Sequence, residues 1–168
     1  DGGVLTATPV YPPFLSAPGL SGRALTTVPL VLCDGAWGWD FDRLEAAVTK
    51  ETRLLLLCHP HNPVGRAWRQ DELAHLSEFC RRHDLVVCSD DIHCDLILDR
   101  DRPHLPLAKL DDDMAQRSIT LMAPSKTYNI PGLACALAVV PDAALRHRFA
   151  AVMRGIVPDA NILGLAAT

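Results

Sequence analysis

Short apolar runs alternate along the chain with stretches in which apolar positions recur every three or four residues. The runs at residues 4–8, 24–30, 54–58, 85–89, 119–122 and 134–139 are too short for typical helices. Most are continuously apolar, as strands buried on both faces of a parallel sheet should be. The helical pattern is clearest over residues 70–83, where Leu73, Leu76, Phe79 and Cys80 form one stripe. Asp71 and Glu72 in its first turn and Arg81 and Arg82 in its last match the helix dipole. A shorter helix is expected over residues 42–48, after Trp37-Gly38-Trp39, and another over 143–153 with Asp142 as its N-cap. Strands that alternate with helices predict an α/β fold: a three-layer α/β/α arrangement around a mostly parallel sheet of six strands.

Composition narrows this further. The chain has 168 residues, 49% apolar and 21% charged, with 13 Pro and 10 Gly, so it is expected to fold around a core. A chain of this length typically buries about 68–70% of its unfolded surface, which suits one domain. No repeat or Gly/Ser linker divides it. The net charge of −4, without a basic stripe, predicts no nucleic-acid partner. No apolar run approaches the ~18 residues of a membrane span. Asp1-Gly2-Gly3 lacks the basic and apolar start of a secretory signal. The six cysteines, Cys33, Cys58, Cys80, Cys88, Cys94 and Cys135, form no C-x-x-C pair and sit mostly in apolar runs. They are expected to be buried, reduced thiols of a cytoplasmic protein. The first residues run almost directly into a strand pattern and the last lie in an apolar, helix-like stretch, so the chain is expected to be cut at both ends.

In open α/β sheets functional groups collect beyond the carboxyl ends of the strands. Three successive strand ends here carry unusual polar residues. His59-Pro60-His61-Asn62-Pro63-Val64-Gly65 follows the third strand, Asp90-Asp91-Ile92-His93 the fourth, and Pro124-Ser125-Lys126-Thr127 the fifth. Lys126 stands out because the chain has only three lysines against thirteen arginines, and Lys50 and Lys109 lie in ordinary solvated contexts. An amine at a strand end invites Schiff-base chemistry. At a pKa near 10.4 it costs roughly 4.6 kcal/mol to present as a free nucleophile at neutral pH, so the site must depress that pKa or hold the amine covalently. Asp90 and Asp91 follow an apolar strand, where a carboxylate is costly to desolvate unless a cation meets it. A protonated pyridine nitrogen is such a cation. An N-cap or turn role is the plainer reading, and it suits Asp91 better than Asp90.

His59, His61, His93 and Asp95 also admit a metal reading. Pro60 interrupts the H-x-H pair, however, and no fourth ligand is evident. No metal is expected. A glycine-rich phosphate loop is absent, because Gly2-Gly3 and the glycines at 19 and 22 lack its spacing and its following helix.

Three motifs, Asn62-Pro63-Val64-Gly65, Ser89-Asp90-Asp91-Ile92-His93 and the run from Ser125-Lys126-Thr127-Tyr128-Asn129 to Gly132-Leu133, together resemble the large domain of fold-type I pyridoxal-phosphate enzymes, the aminotransferase class I/II superfamily. Thr8-Pro9-Val10-Tyr11, Ser125 to Asn129 and Gly155-Ile156-Val157-Pro158 most resemble the MalY/PatB-type carbon–sulfur lyases, relatives of cystathionine β-lyase. The resemblance implies pyridoxal 5'-phosphate as cofactor. Lys126 would carry it covalently, Asp90 would meet its ring nitrogen, Asn62 would donate to its ring hydroxyl, and Tyr11 would stack on the ring. Ser125 would help hold the phosphate, and His93 sits where many aminotransferases have tyrosine. Many relatives have a hydroxyl residue three before the lysine and an arginine eight after it. Here those positions are Ala123 and Ala134.

The resemblance implies β-elimination of cystathionine or a related S-substituted cysteine to thiol, pyruvate and ammonia. Class I/II aminotransfer is the nearest alternative, and a non-catalytic or regulatory module that keeps the fold is another. It further implies a small-molecule amino-acid substrate and a homodimer in the full-length form. Residues 1–168 would then be a partial large domain, without the upstream phosphate-binding segment and the C-terminal small domain of the family.

Overall fold

The computed structural model describes residues 2–168. In chain order the elements are β1 (Gly3–Thr8), α1 (Pro13–Leu20), β2 (Leu25–Pro29), β3 (Val31–Cys33), β4 (Ala36–Gly38), α2 (Phe41–Ala47), β5 (Thr52–Cys58), α3 (Gln70–Arg82) and β6 (Val86–Asp90). They continue with α4 (Asp112–Gln116), β7 (Ser118–Met122), α5 (Pro124–Thr127), β8 (Leu137–Val139), α6 (Ala143–Met153) and α7 (Ile162–Ala167). Short 3-10 turns cover Leu107–Lys109 and Pro131–Leu133.

The six expected strands form one sheet in the order β2-β1-β5-β6-β7-β8, parallel except for β8, which runs antiparallel to β7. The α/β reading with a mostly parallel sheet therefore holds. One sheet face is dry: Leu5, Leu55, Leu57 and Val87 are fully buried against Leu44 of α2, Leu73, Leu76 and Phe79 of α3, and Met114 of α4. The alternate positions Leu54, Leu56, Val86 and Cys88 are only partly buried, and Val10 and Phe14 cover part of that second face. α6 buries none of its side chains, and Val152, Ile156, Ile162 and Leu163 are exposed.

The helix ends follow the expected chemistry. The Glu72 carboxylate accepts from the Arg69 backbone N–H at 2.7 Å at the start of α3, and Asp142 accepts from the Leu145 N–H at 2.6 Å at the start of α6. α2 begins one residue earlier than expected because Asp40 caps it through the Arg43 N–H at 3.0 Å. The β3–β4 hairpin turns on Asp34 and Gly35, both at positive φ, and leads to Trp39, which packs against Trp68 with ring centroids 5.4 Å apart. All six cysteines are free thiols, but Cys33 is exposed at this hairpin and Cys88 only partly buried, which corrects the expectation that all are buried.

Candidate active site

β1, β5, β6 and β7 are consecutive in the sheet and mutually parallel, so their carboxyl ends share one edge. Tyr11 follows β1, Asn62 follows β5, Asp90 ends β6 with His93 just beyond, and Ser125 and Lys126 lie on α5 directly after β7. Cross-strand pairing sets Cys58 beside Asp90 and Asp90 beside Leu121, which brings the Asn62, Asp90 and Lys126 exits next to one another. Tyr11 is 46% exposed and Lys126 is exposed, while Asn62, Asp90 and His93 are partly buried.

Asp90 is the unusual group of this edge. Its Oδ1 atom is buried and has no hydrogen-bond partner among the described residues. Burial holds its carboxyl above the usual carboxylate range. The Ile92 backbone N–H and the charges of His93 and Lys126 pull it down, and neighbouring Asp91 pushes it up. An unpaired buried carboxylate is expensive, and a cationic N–H donor placed at that oxygen would relieve it.

Asp91 is provided for within the chain. It is fully buried, and it accepts from Ser89 Oγ and, at 2.6 Å, from His104 Nε2. The His104 ring lies on that of His59, with centroids 4.3 Å apart. His59 Nε2 donates to the Leu105 carbonyl at 2.9 Å and its Nδ1 accepts from the Trp68 N–H at 3.3 Å, the pattern of a neutral imidazole. Burial, together with His104, pushes His59 down to about 4. Successive residues at a strand end point to opposite faces, which is why Asp91 joins Ser89 on the core face while Asp90 does not. Nothing in the sequence pairs Asp91 with His104, which lies in the irregular stretch before Leu107–Lys109.

Two of the histidines that admitted a metal reading, His59 and His61, have other partners. His61 Nε2 donates to the Pro9 carbonyl at 2.8 Å, tying the Asn62 exit to the Tyr11 exit. Among the described residues no group of three or more His, Cys, Asp or Glu is placed to hold a metal ion. Cys58 shapes the same turn: its Sγ accepts from the Asn62 N–H at 3.3 Å, and burial pushes its thiol up to about 11.

Ser125 is buried, and its hydroxyl donates to the Cys135 carbonyl at 2.9 Å. A hydroxyl has one proton, so Ser125 anchors the Lys126 turn and retains only acceptor capacity for another group. On the other side of Lys126, Thr127 Oγ1 donates to Asp95 Oδ2 at 2.7 Å. A cavity of about 140 Å3 lies here, lined by Cys94, Asp95, Pro124, Thr127, Tyr128 and Thr168 among others. Asn62, Asp90 and Lys126 do not line it; they lie at or just beyond the ends of the adjacent strands β5, β6 and β7.

Residues 1–167 match the family model for aminotransferase class I and II. The chain is 41% identical over 152 residues to cystathionine beta-lyase PatB of Bacillus subtilis, covering 90% of this chain and 39% of that protein. It is 38% identical over 129 residues to a probable N-succinyldiaminopimelate aminotransferase, DapC, of Mycobacterium tuberculosis, covering 77% of this chain and 32% of that one. Among solved structures it superposes on OvoB with a TM-score of 0.95 at 49% identity, covering 99% of this chain and 44% of that one. Cystalysin from Treponema denticola, which contains pyridoxal 5'-phosphate, gives a TM-score of 0.92 at 35% identity, with 99% and 43% covered. The chain thus spans about two-fifths of the length of these relatives. With a family model matched over nearly every residue and a sheet that superposes on solved relatives, this chain belongs to the aminotransferase class I and II family.

Proposed function

We propose that this chain is part of the large, cofactor-binding domain of a pyridoxal-phosphate-dependent carbon–sulfur β-lyase. Its substrate would be cystathionine or a related S-substituted cysteine, split into thiol, pyruvate and ammonia. The observation that carries the reading is the buried, partnerless Oδ1 of Asp90 on the edge shared with Lys126. When bound, pyridoxal phosphate supplies an electron sink for the charge left at the substrate's α-carbon.

The chain's own residues divide the remaining work. Asp90 would hold a proton at the cofactor's ring nitrogen, and its desolvated carboxylate would make that pairing strong. Asn62 donates to the ring hydroxyl, and the half-exposed ring of Tyr11 offers a stacking face. His93 lies just beyond Asp90 on the same strand exit. The Lys126 amine would carry the cofactor, and when free it would serve as the base that removes the substrate's α-proton. Ser125 keeps the Lys126 turn in place through Cys135. A homodimer in the cytoplasm and a separate small domain belong to the same proposal.

Elimination is favoured over transamination by Ala134, which stands where many aminotransferases carry arginine, and by the similarity to PatB. Aminotransfer is the second reading, supported by the similarity to DapC. The test supplies the complete protein with pyridoxal phosphate and cystathionine, and measures pyruvate and thiol against amino transfer to a 2-oxo acid. Equimolar pyruvate and thiol without an added 2-oxo acid is the expected result. Turnover only with an amino acceptor would overturn the lyase reading.

A further inference from the structure

We propose that Thr127 and Asp95 are positioning residues for Lys126: the hydrogen bond between them holds the lysine turn in register with the strand exit that bears Asp90. This rests on the reading of Lys126 as the residue that carries the cofactor.

α5 is a single turn of four residues, and one turn of helix has little stability of its own. Its backbone bonds are local: Lys126 N–H to the Ala123 carbonyl at 2.8 Å, Tyr128 N–H to Pro124 at 2.9 Å and Ile130 N–H to Ser125 at 2.9 Å. None of these relates the turn to β6. The side chains on either side of Lys126 do the long-range tying. Ser125 reaches Cys135, on the approach to β8, and Thr127 reaches Asp95, in the segment leaving β6. Among the described residues, Thr127 to Asp95 is the side-chain hydrogen bond that joins α5 to that segment.

The Asp95 end is itself fixed. The Cys94 N–H donates to the Asp91 carbonyl at 2.9 Å and the Leu96 N–H to that of His93 at 3.0 Å, so Asp95 sits in a turn closed onto Asp91, whose side chain is immobilised in the core. The cavity of about 140 Å3 lies between this turn and α5, with Met122 and Leu137 also in its wall. Close packing cannot set the separation of two elements across a void. The 2.7 Å hydrogen bond does so instead, and it acts on the residue next to Lys126. A lysine has a flexible four-carbon stem, so the position of its backbone decides which atoms its amine can reach.

The test is made on the complete protein, freed of cofactor and mixed with pyridoxal phosphate. Borohydride is added at timed intervals and the label on the Lys126 peptide is quantified. Thr127→Val keeps the shape and removes the donor, Asp95→Ala removes the acceptor, Thr127→Ser restores the hydroxyl, and a double variant closes the cycle. Each single loss should slow labelling about fivefold to tenfold, roughly the net value of one hydrogen bond, because solvent at this exposed site weakens the charged acceptor's advantage. The double variant should be no slower than the slower single, Thr127→Ser should recover the wild-type rate, and thermal midpoints should stay within about 2 °C. Unchanged labelling rates, or losses that add in the double variant, would overturn the positioning role while leaving Lys126 as the attachment point. Absence of label on Lys126 in the wild-type protein would overturn both.

Discussion

Asp90 and Asp91 are adjacent at the end of one strand, yet Asp91 takes hydrogen bonds from Ser89 and His104 while a buried oxygen of Asp90 takes none. The two carboxylates face different environments because the chain is extended there, and this separates a structural charge from one kept available. Asp90→Asn should therefore leave the cofactor-free protein melting at or above the wild-type temperature, since it removes a buried charge whose desolvation is only partly offset by its neighbours, while abolishing most turnover. Asp91→Ala should lower stability by about 3 kcal/mol, because Ser89 and His104 lose their acceptor in the core. Calorimetry on both variants, with turnover of Asp90→Asn and Asp91→Asn alongside, checks the division. Equal loss of turnover in the two Asn variants would contradict it.

His59 makes stability depend on pH. Its folded pKa of about 4 lies below the unfolded value of 6.5, so between these values the unfolded chain binds the proton and the folded chain does not. The neutral ring's contribution is complete above pH 6.5 and is lost as pH falls toward 4, amounting to about 3 kcal/mol over the window. Urea titrations across this range should show stability falling with acid, and His59→Gln should flatten that slope. An unaltered slope in the variant would assign the acid sensitivity to other groups.

Ser125→Ala should destabilise the protein by about 1 kcal/mol even without cofactor, because the Cys135 carbonyl loses its donor. Denaturant unfolding of the cofactor-free protein measures this. An unchanged midpoint would mean that Ser125 does not anchor the turn.

The sheet was readable in the sequence because its central strands are uninterrupted apolar runs, such as Leu54 to Cys58, with polar residues gathered at their ends. The candidate site was readable for the same reason: parallel strands put Asn62, Asp90 and Lys126 on one edge whatever lies between them. α1 was not readable, since Pro13, Pro18 and Gly19 break any helical pattern and its apolar residues form no stripe. Nor was the β3–β4 hairpin, whose strands of three residues are too short to show alternation. The buried Asp91–His104 pair and the bonds of Ser125 and Thr127 depend on tertiary geometry, between residues 10 to 32 positions apart in sequence.

The most direct test is the covalent one. Reduction of the complete, cofactor-loaded protein with borohydride, followed by peptide mapping, should place one pyridoxyl group on the peptide containing Pro124-Ser125-Lys126-Thr127. Within this chain only Lys50 and Lys109 compete. Lys126→Ala should lose both the label and pyruvate release from cystathionine, and Lys126→Arg should not rescue either, because a guanidinium keeps the charge but does not carry the cofactor. Label on Lys109, or undiminished pyruvate release by Lys126→Ala, would contradict the assignment of this sheet edge as the catalytic centre.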